Sequence, residues 1–267
     1  MSDTTYQEER SKLVDHLLEL RKRLVLSLGI MLVASIIAYI FAKPVYGFLV
    51  EPLAKAMDTG GESTNRLIYT NLAEAFMTYV KVALFAGIYA TFPFLLSQIW
   101  LFMAPGLYQN EKRAFLPFLV LTPLLFYLGG ALVYYVVIPF AWEFFLSFQS
   151  TGAETVLPIQ LEARVSDYLD LVMMLVFAFG MCFQLPLVLT LLVRAGLLQV
   201  ETLVKTRRYA IIGAFVIGAV LTPTPDIISQ SALAIPLWLL YEISILFARQ
   251  IEKKNNERFA LQVPPAD

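Results

Sequence analysis

The chain has a single cysteine and a single histidine. Cys182 stands alone in an apolar run, which leaves no disulfide framework and no zinc-type spacing. His16 has no second histidine to work with, so a histidine-rich metal site is excluded; with no Ser–His pair in prospect, a Ser-His-Asp triad gains no support either. Charge is also scarce. Charged residues make up 15% of the chain, against about 25% in typical soluble domains. The formal net charge is −1, without the basic face that nucleic acid requires. No glycine-rich phosphate loop is present. Asp167 and Asp170 fall at the edge of an apolar run, where negative charge favours a helix N-terminus. An intramembrane aspartyl protease would need its two acids deep in separate spans. These absences point away from an enzyme, a metal site and any cofactor.

Apolar residue types make up 58% of the chain and occur in long runs. A helix needs about 20 such residues to cross the hydrocarbon core. Six segments approach that: Leu24 to Ala42, about Leu72 to Met103, Phe115 to Ile138, about Tyr168 to Val193, Tyr209 to Leu221, and Ser229 to Ala248. The expected fold is an all-α integral membrane protein with six transmembrane helices, short fifth and sixth spans, and both termini cytoplasmic. A single polytopic domain is expected over residues 1–267, with an amphipathic cytoplasmic stretch at 1–23 and a mobile polar tail at 249–267. The first apolar run starts after Arg23 and lacks a small-residue cleavage site, so it reads as a retained anchor rather than a signal peptide. The fifth segment is the shortest. Thirteen residues cover roughly 20 Å, less than a core of about 30 Å, before Thr222 to Asp226 ends the run. Either a tight hairpin in a packed bundle or a locally thinned bilayer accommodates it.

Lysine and arginine set the orientation. With six alternating spans, fifteen of the twenty fall on one side and Lys43, Lys55, Arg66 and Arg164 on the other, with Lys81 inside a span. The richer side is cytoplasmic by the positive-inside rule. The outer segments, Pro44 to Asn71 and Pro139 to Asp167, read as short caps. No internal repeat is visible, which gives no support to an inverted-repeat transporter. A solute permease or channel is the alternative reading.

Several polar residues occur where they need an account. Leu13, Leu17, Leu20 and Leu24 share one helical face, and Glu19 sits just before Arg21, Lys22 and Arg23. Glu19 either pairs with Arg23 at i, i+4 or accepts a guanidinium from a partner. Glu111 lies in a tight cytoplasmic loop and is either solvated or the second such acceptor. Two planar carboxylates on one membrane face suit a ligand with two adjacent arginines. Lys81, Gln184 and Glu242 lie within apolar runs, where an ionisable or polar group is costly and by default functional. Lys81 has Glu74 two turns away, and Glu242 has Arg249 at the same spacing. Asp226 is placed to cap the helix that follows it.

The run His16-Leu17-Leu18-Glu19-Leu20-Arg21-Lys22-Arg23-Leu24 resembles the N-terminal signature of the TatC family. So do Gln98-Ile99-Trp100-Leu101-Phe102-Met103-Ala104-Pro105-Gly106-Leu107-Tyr108 followed by Glu111, Lys112 and Arg113. Phe179-Gly180 with Phe183 and Pro186, the run Arg207-Arg208-Tyr209, Leu221-Thr222-Pro223, Pro225-Asp226, Ser229-Gln230, Ala234-Ile235-Pro236 and Tyr241-Glu242-Ile243 extend the match along nearly the whole chain.

The resemblance implies a receptor in the bacterial inner membrane for twin-arginine signal peptides on folded cargo. It would act with the single-span proteins TatA and TatB and further copies of itself, and draw on the proton-motive force. Glu19 and Glu111 match the family's signal-peptide site, and Arg21 and Arg23 match basic positions of the same motif. Pro52 and Phe102 match positions sensitive to substitution. Leu221, Asp226 and Gln230 lie in the region where partner helices dock, and Gln184 stands where relatives often carry glutamate. A neutral amide there accepts hydrogen bonds but cannot titrate. The expectation that follows is one inner-leaflet hollow in which Glu19 and Glu111 bind the two arginines.

Overall fold

The computed structural model describes residues 3–58, 66–107, 112–150, 157, 161–222 and 227–262. Secondary structure among them is helical apart from isolated bridge residues at Ile68, Ser150 and Arg164. Two compact units divide the chain. One comprises Met1–Val50 with Tyr69–Pro123, the other Glu51–Ile68 with Leu124–Asp267.

In the first unit, helix α1 (Asp3–Ile40) runs 38 residues without a break, so the amphipathic stretch and the first span form one rod. It packs along α3 (Glu74–Leu107). Buried Ser27 and Ser35 return their hydroxyls to the carbonyls of Arg23 and Met31. This satisfies each hydroxyl within its own helix. Gly87 of α3 lies so close to Ser35 that a Cβ there would fall on the serine. Small residues at a crossing let helix backbones approach where no hydrophobic driving force exists. At the start of α3, buried Glu74 turns back to accept the backbone N–H groups of Thr70, at 2.9 Å, and Asn71, at 3.3 Å. The carboxylate thereby serves N–H groups ahead of a helix start.

Helix α2 (Ala42–Asp58) begins after one intervening residue, Phe41. The segment expected as a short cap is therefore a 17-residue helix over much of its length. Pro44 sits in its first turn, where a missing N–H costs nothing.

In the second unit, the C-terminal part of α4 (Lys112–Leu132) leads into a π-helical turn at Val133–Val137 and then α5 (Ile138–Leu146). The N–H of Ile138 reaches back five residues to the carbonyl of Val133. Pro139 follows at once and has no N–H to donate, so the widened turn coincides with a gap in the ordinary hydrogen-bond ladder. Helix α6 (Val165–Cys182) stops and restarts as α7 (Leu185–Arg194) across Phe183 and Gln184, because Pro186 supplies no N–H to continue the first helix. Gly129 and Gly180 are points of close approach. A Cβ on Gly129 would lie 2.6 Å from the Phe179 carbonyl, and one on Gly180 would lie 2.7 Å from the Phe126 ring. Phe126 and Phe179 are fully buried.

Two residues beyond the end of α7, Gly196 takes a positive φ of 73° as helix-terminating glycines do. Helix α8 (Val200–Lys205) then leads to α9 (Arg207–Leu221) and α10 (Ile227–Gln262). Helix α10 packs on α7, α8 and α9. The last span was expected to be short, but α10 has 36 residues, of which Ile227–Lys253 is apolar enough to cross a membrane. Pro236 does not end it.

Five helical stretches among the described residues have the length and composition of spans: Leu17–Ile40, Glu74–Phe102, Pro117–Leu146, Val165–Arg194 and Ile227–Lys253. Their outward faces carry exposed large apolar side chains such as Leu32, Ile36, Leu124, Leu128, Leu239 and Leu246. Contiguous apolar surface of this kind is unfavourable in water and suits hydrocarbon. The molecule is an all-α membrane protein. Helix α9, with 15 residues, is shorter than these spans.

Candidate site between α1 and α3

Glu19 and Arg23 are one turn apart on α1, and they do pair: Arg23 Nη2 lies 2.7 Å from Glu19 Oε1 and Nε lies 3.0 Å from the same oxygen. The remaining edge of the guanidinium crosses to α3, where Nη1 donates to Gln98 Oε1 at 2.9 Å. Glu19 keeps 42% of its side-chain surface exposed and Arg23 28%. Glu19 Oε2 has no hydrogen-bond partner among the described residues. Arg21, two positions from each of them and so on another face of α1, is exposed. Among the described residues the site thus offers one half-exposed carboxylate with one oxygen held by Arg23 and the other open. A second guanidinium is the chemistry that such an oxygen accepts best.

Glu111 and Asp226 lie outside the described residues. Phe102 is half-buried near the end of α3, two residues after buried Trp100. Pro52 is buried within α2.

The other expected site residues belong to the second unit. Gln184 is only 5% exposed and sits in the turn between α6 and α7. Its backbone carbonyl accepts the N–H groups of Leu187 and Val188. It therefore presents little side chain to a docking helix. Gln230 spends one amide N–H inside the chain, donating to the Phe215 carbonyl at 2.8 Å. The approach of α10 to α9 is close there, since a Cβ on Gly218 would stand 3.1 Å from the Gln230 carbonyl. Leu221 is buried at the end of α9.

Glu242 does not pair with Arg249. Its carboxylate lies 2.8 Å from Arg207 Nη2 on α9. The i, i+7 spacing offered Arg249 on the same helix, but α9 brings a guanidinium across a shorter gap. One residue earlier, Tyr241 donates its hydroxyl to the Leu203 carbonyl at 2.8 Å and meets Thr206 Oγ1 at 3.0 Å. The α8–α9 corner is thus clasped to α10 by polar contacts over a small apolar cluster of Val193, Val200, Leu203, Ile245 and Ala248.

Gln98 was legible only as part of a motif. An uncharged amide inside an apolar run is a signal for an interhelical hydrogen bond, and that is the role it plays with Arg23.

Comparisons with known proteins agree along the length of the chain. The family model of the Sec-independent protein translocase protein TatC matches residues 15–236. The Sec-independent protein translocase protein TatC of Magnetococcus marinus is 48% identical over 255 residues, covering 96% of this chain and 90% of that protein. Its counterpart from Rickettsia prowazekii is 44% identical over 238 residues, covering 89% of this chain and 92% of that one. A crystal structure of the twin arginine translocase receptor TatC superposes with a TM-score of 0.75 at 39% identity, covering 89% of this chain and 99% of that chain.

Proposed function

The chain belongs to the TatC family of Sec-independent protein translocase proteins, and on that premise we propose that it is the receptor core of a twin-arginine translocase. It is a multi-pass protein of the bacterial inner membrane. Its work is to bind the twin-arginine signal peptides of folded proteins and, with TatA- and TatB-type single-span partners, to support their proton-motive-force-driven export.

The observation that carries the binding reading is the half-exposed Glu19 carboxylate with one oxygen unoccupied among the described residues. One peptide arginine binds there, and Glu111 takes the second. Each charge-assisted contact is worth about 1.5–3 kcal/mol. Arg23 holds one oxygen of the acceptor, and Arg21 supplies a second basic position of the same motif. Both termini are cytoplasmic, and α9 is the short fifth of six spans within one functional domain. At about 1.5 Å per residue it reaches roughly 22 Å, so the bilayer thins beside it. The α9–α10 hairpin, with Leu221, Asp226 and Gln230, is where a partner's helix docks, while Gln184, Pro52 and Phe102 have structural roles, each within its own unit.

Site-specific crosslinking of a twin-arginine peptide tests the binding reading. Glu19→Ala and Glu111→Ala should each reduce crosslinking and export. Undiminished crosslinking with intact export would remove both residues from the site. Export of a folded reporter with paired arginines, but not paired lysines, separates a translocase from a solute permease.

A further inference from the structure

We propose that Gln98 is a positioning residue for the signal-peptide site, acting through Arg23 to keep one oxygen of Glu19 open. The proposal rests on the receptor reading above and adds a residue to which that reading gives no role.

An arginine and a glutamate four residues apart on one helix form a weak, mobile pair. Left alone, a guanidinium favours the parallel fork in which two N–H groups meet both carboxylate oxygens. That arrangement would engage both oxygens of Glu19 and leave neither without a partner. The observed geometry is different. Nε and Nη2 of Arg23 both converge on Oε1, at 3.0 and 2.7 Å. The other edge is held by Gln98 Oε1, 2.9 Å from Nη1 and 75 positions away in sequence. A guanidinium only donates, so the amide must present its oxygen. Anchored on two helices, the planar group has lost the rotation that would bring it into the fork. Gln98 supplies the acceptor for that edge from a second helix. Among the described residues Oε2 of Glu19 is left for an incoming planar donor, in a carboxylate whose orientation is already set. Preorganisation of this kind raises affinity by removing an ordering cost from the binding step.

The test uses the full-length protein in lipid nanodiscs and two synthetic peptides, alike except for paired arginines or paired lysines before an apolar segment. If the wild-type protein does not prefer the arginine peptide, the receptor reading fails before Gln98 is tested. Given that preference, Gln98→Leu should weaken binding of the arginine peptide about tenfold. Gln98→Glu, which keeps an acceptor in the same place, should restore affinity to within about threefold of wild type. In an Arg23→Met background, Gln98→Leu should change the remaining affinity by less than about twofold, because the residue through which it acts is gone. Thermal stability of each variant is measured alongside. Unchanged or tighter binding by Gln98→Leu would overturn the proposal, the latter by making Arg23 a competitor for Glu19. Additive losses with Arg23→Met, or no restoration by Gln98→Glu, would reduce Gln98 to helix packing and overturn it as well.

Discussion

The guanidinium of Arg207 lies 2.8 Å from the carboxylate of Glu242 and ties the start of α9 to the middle of α10. The side chains are 42% and 26% exposed, so the pair is only partly desolvated. Removing one partner leaves the other partly buried without its counter-charge. Glu242→Gln should therefore lower stability by about 1–2 kcal/mol, read as a drop in the thermal midpoint of the purified protein. Exchanging the two residues, Arg207→Glu with Glu242→Arg, should recover part of the loss.

Tyr241 adds to the same clasp through a single hydroxyl that contacts both Leu203 and Thr206. Tyr241→Phe keeps the ring and removes both contacts. A loss of about 1 kcal/mol is expected, together with faster amide exchange at residues 203–206. Equal exchange in the two proteins would show that the hydroxyl does not hold the corner.

Glycines separate into those that meet a neighbour and those that do not. Gly180→Val should be overpacked against Phe126 by about 1–3 kcal/mol, and shortening Phe126 to Leu in the same chain should relieve part of it. A Cβ on Gly29 or Gly47 would meet nothing within 4 Å. Gly29→Ala should leave the thermal midpoint unchanged or raise it, since alanine is the better helix former by up to about 1 kcal/mol. A fall as large as that of Gly180→Val would contradict the packing described.

Glu74 is the acceptor for two backbone N–H groups just ahead of its own helix. Glu74→Ala orphans both. A cost of about 1–2 kcal/mol is expected, with proteolytic sensitivity appearing around residues 69–73. Glu74→Gln keeps an oxygen and should lose less.

Signal-peptide binding should weaken with added salt, because the acceptor is partly exposed and the Debye length contracts from about 10 Å at 0.1 M to about 3 Å at 1 M. Titration of the arginine peptide across that range measures it. An affinity independent of salt would place the binding carboxylates out of reach of solvent.

By itself the sequence located five of the six expected spans, all but the short fifth. The third apolar run ended in expectation at Ile138 and the apolar helical stretch ends at Leu146. The fourth was expected over Tyr168 to Val193 and lies at Val165–Arg194. The bilayer fixes length and polarity, and both are local properties of a chain. The Glu19–Arg23 pair was legible for the same reason, since four residues make one turn. Helix α2 was hidden because its glycine and prolines punctuate a segment too polar to read as a span. Tertiary structure alone decided where the remaining polar groups found partners: Arg23 on Gln98, Glu242 on Arg207, Gln230 on the Phe215 carbonyl. Those contacts join helices that are distant in sequence or turned toward each other by packing. Their choice depends on crossing angle and rotation, which close approach at residues such as Gly87 and Gly218 sets and which the periodicity of one helix does not carry.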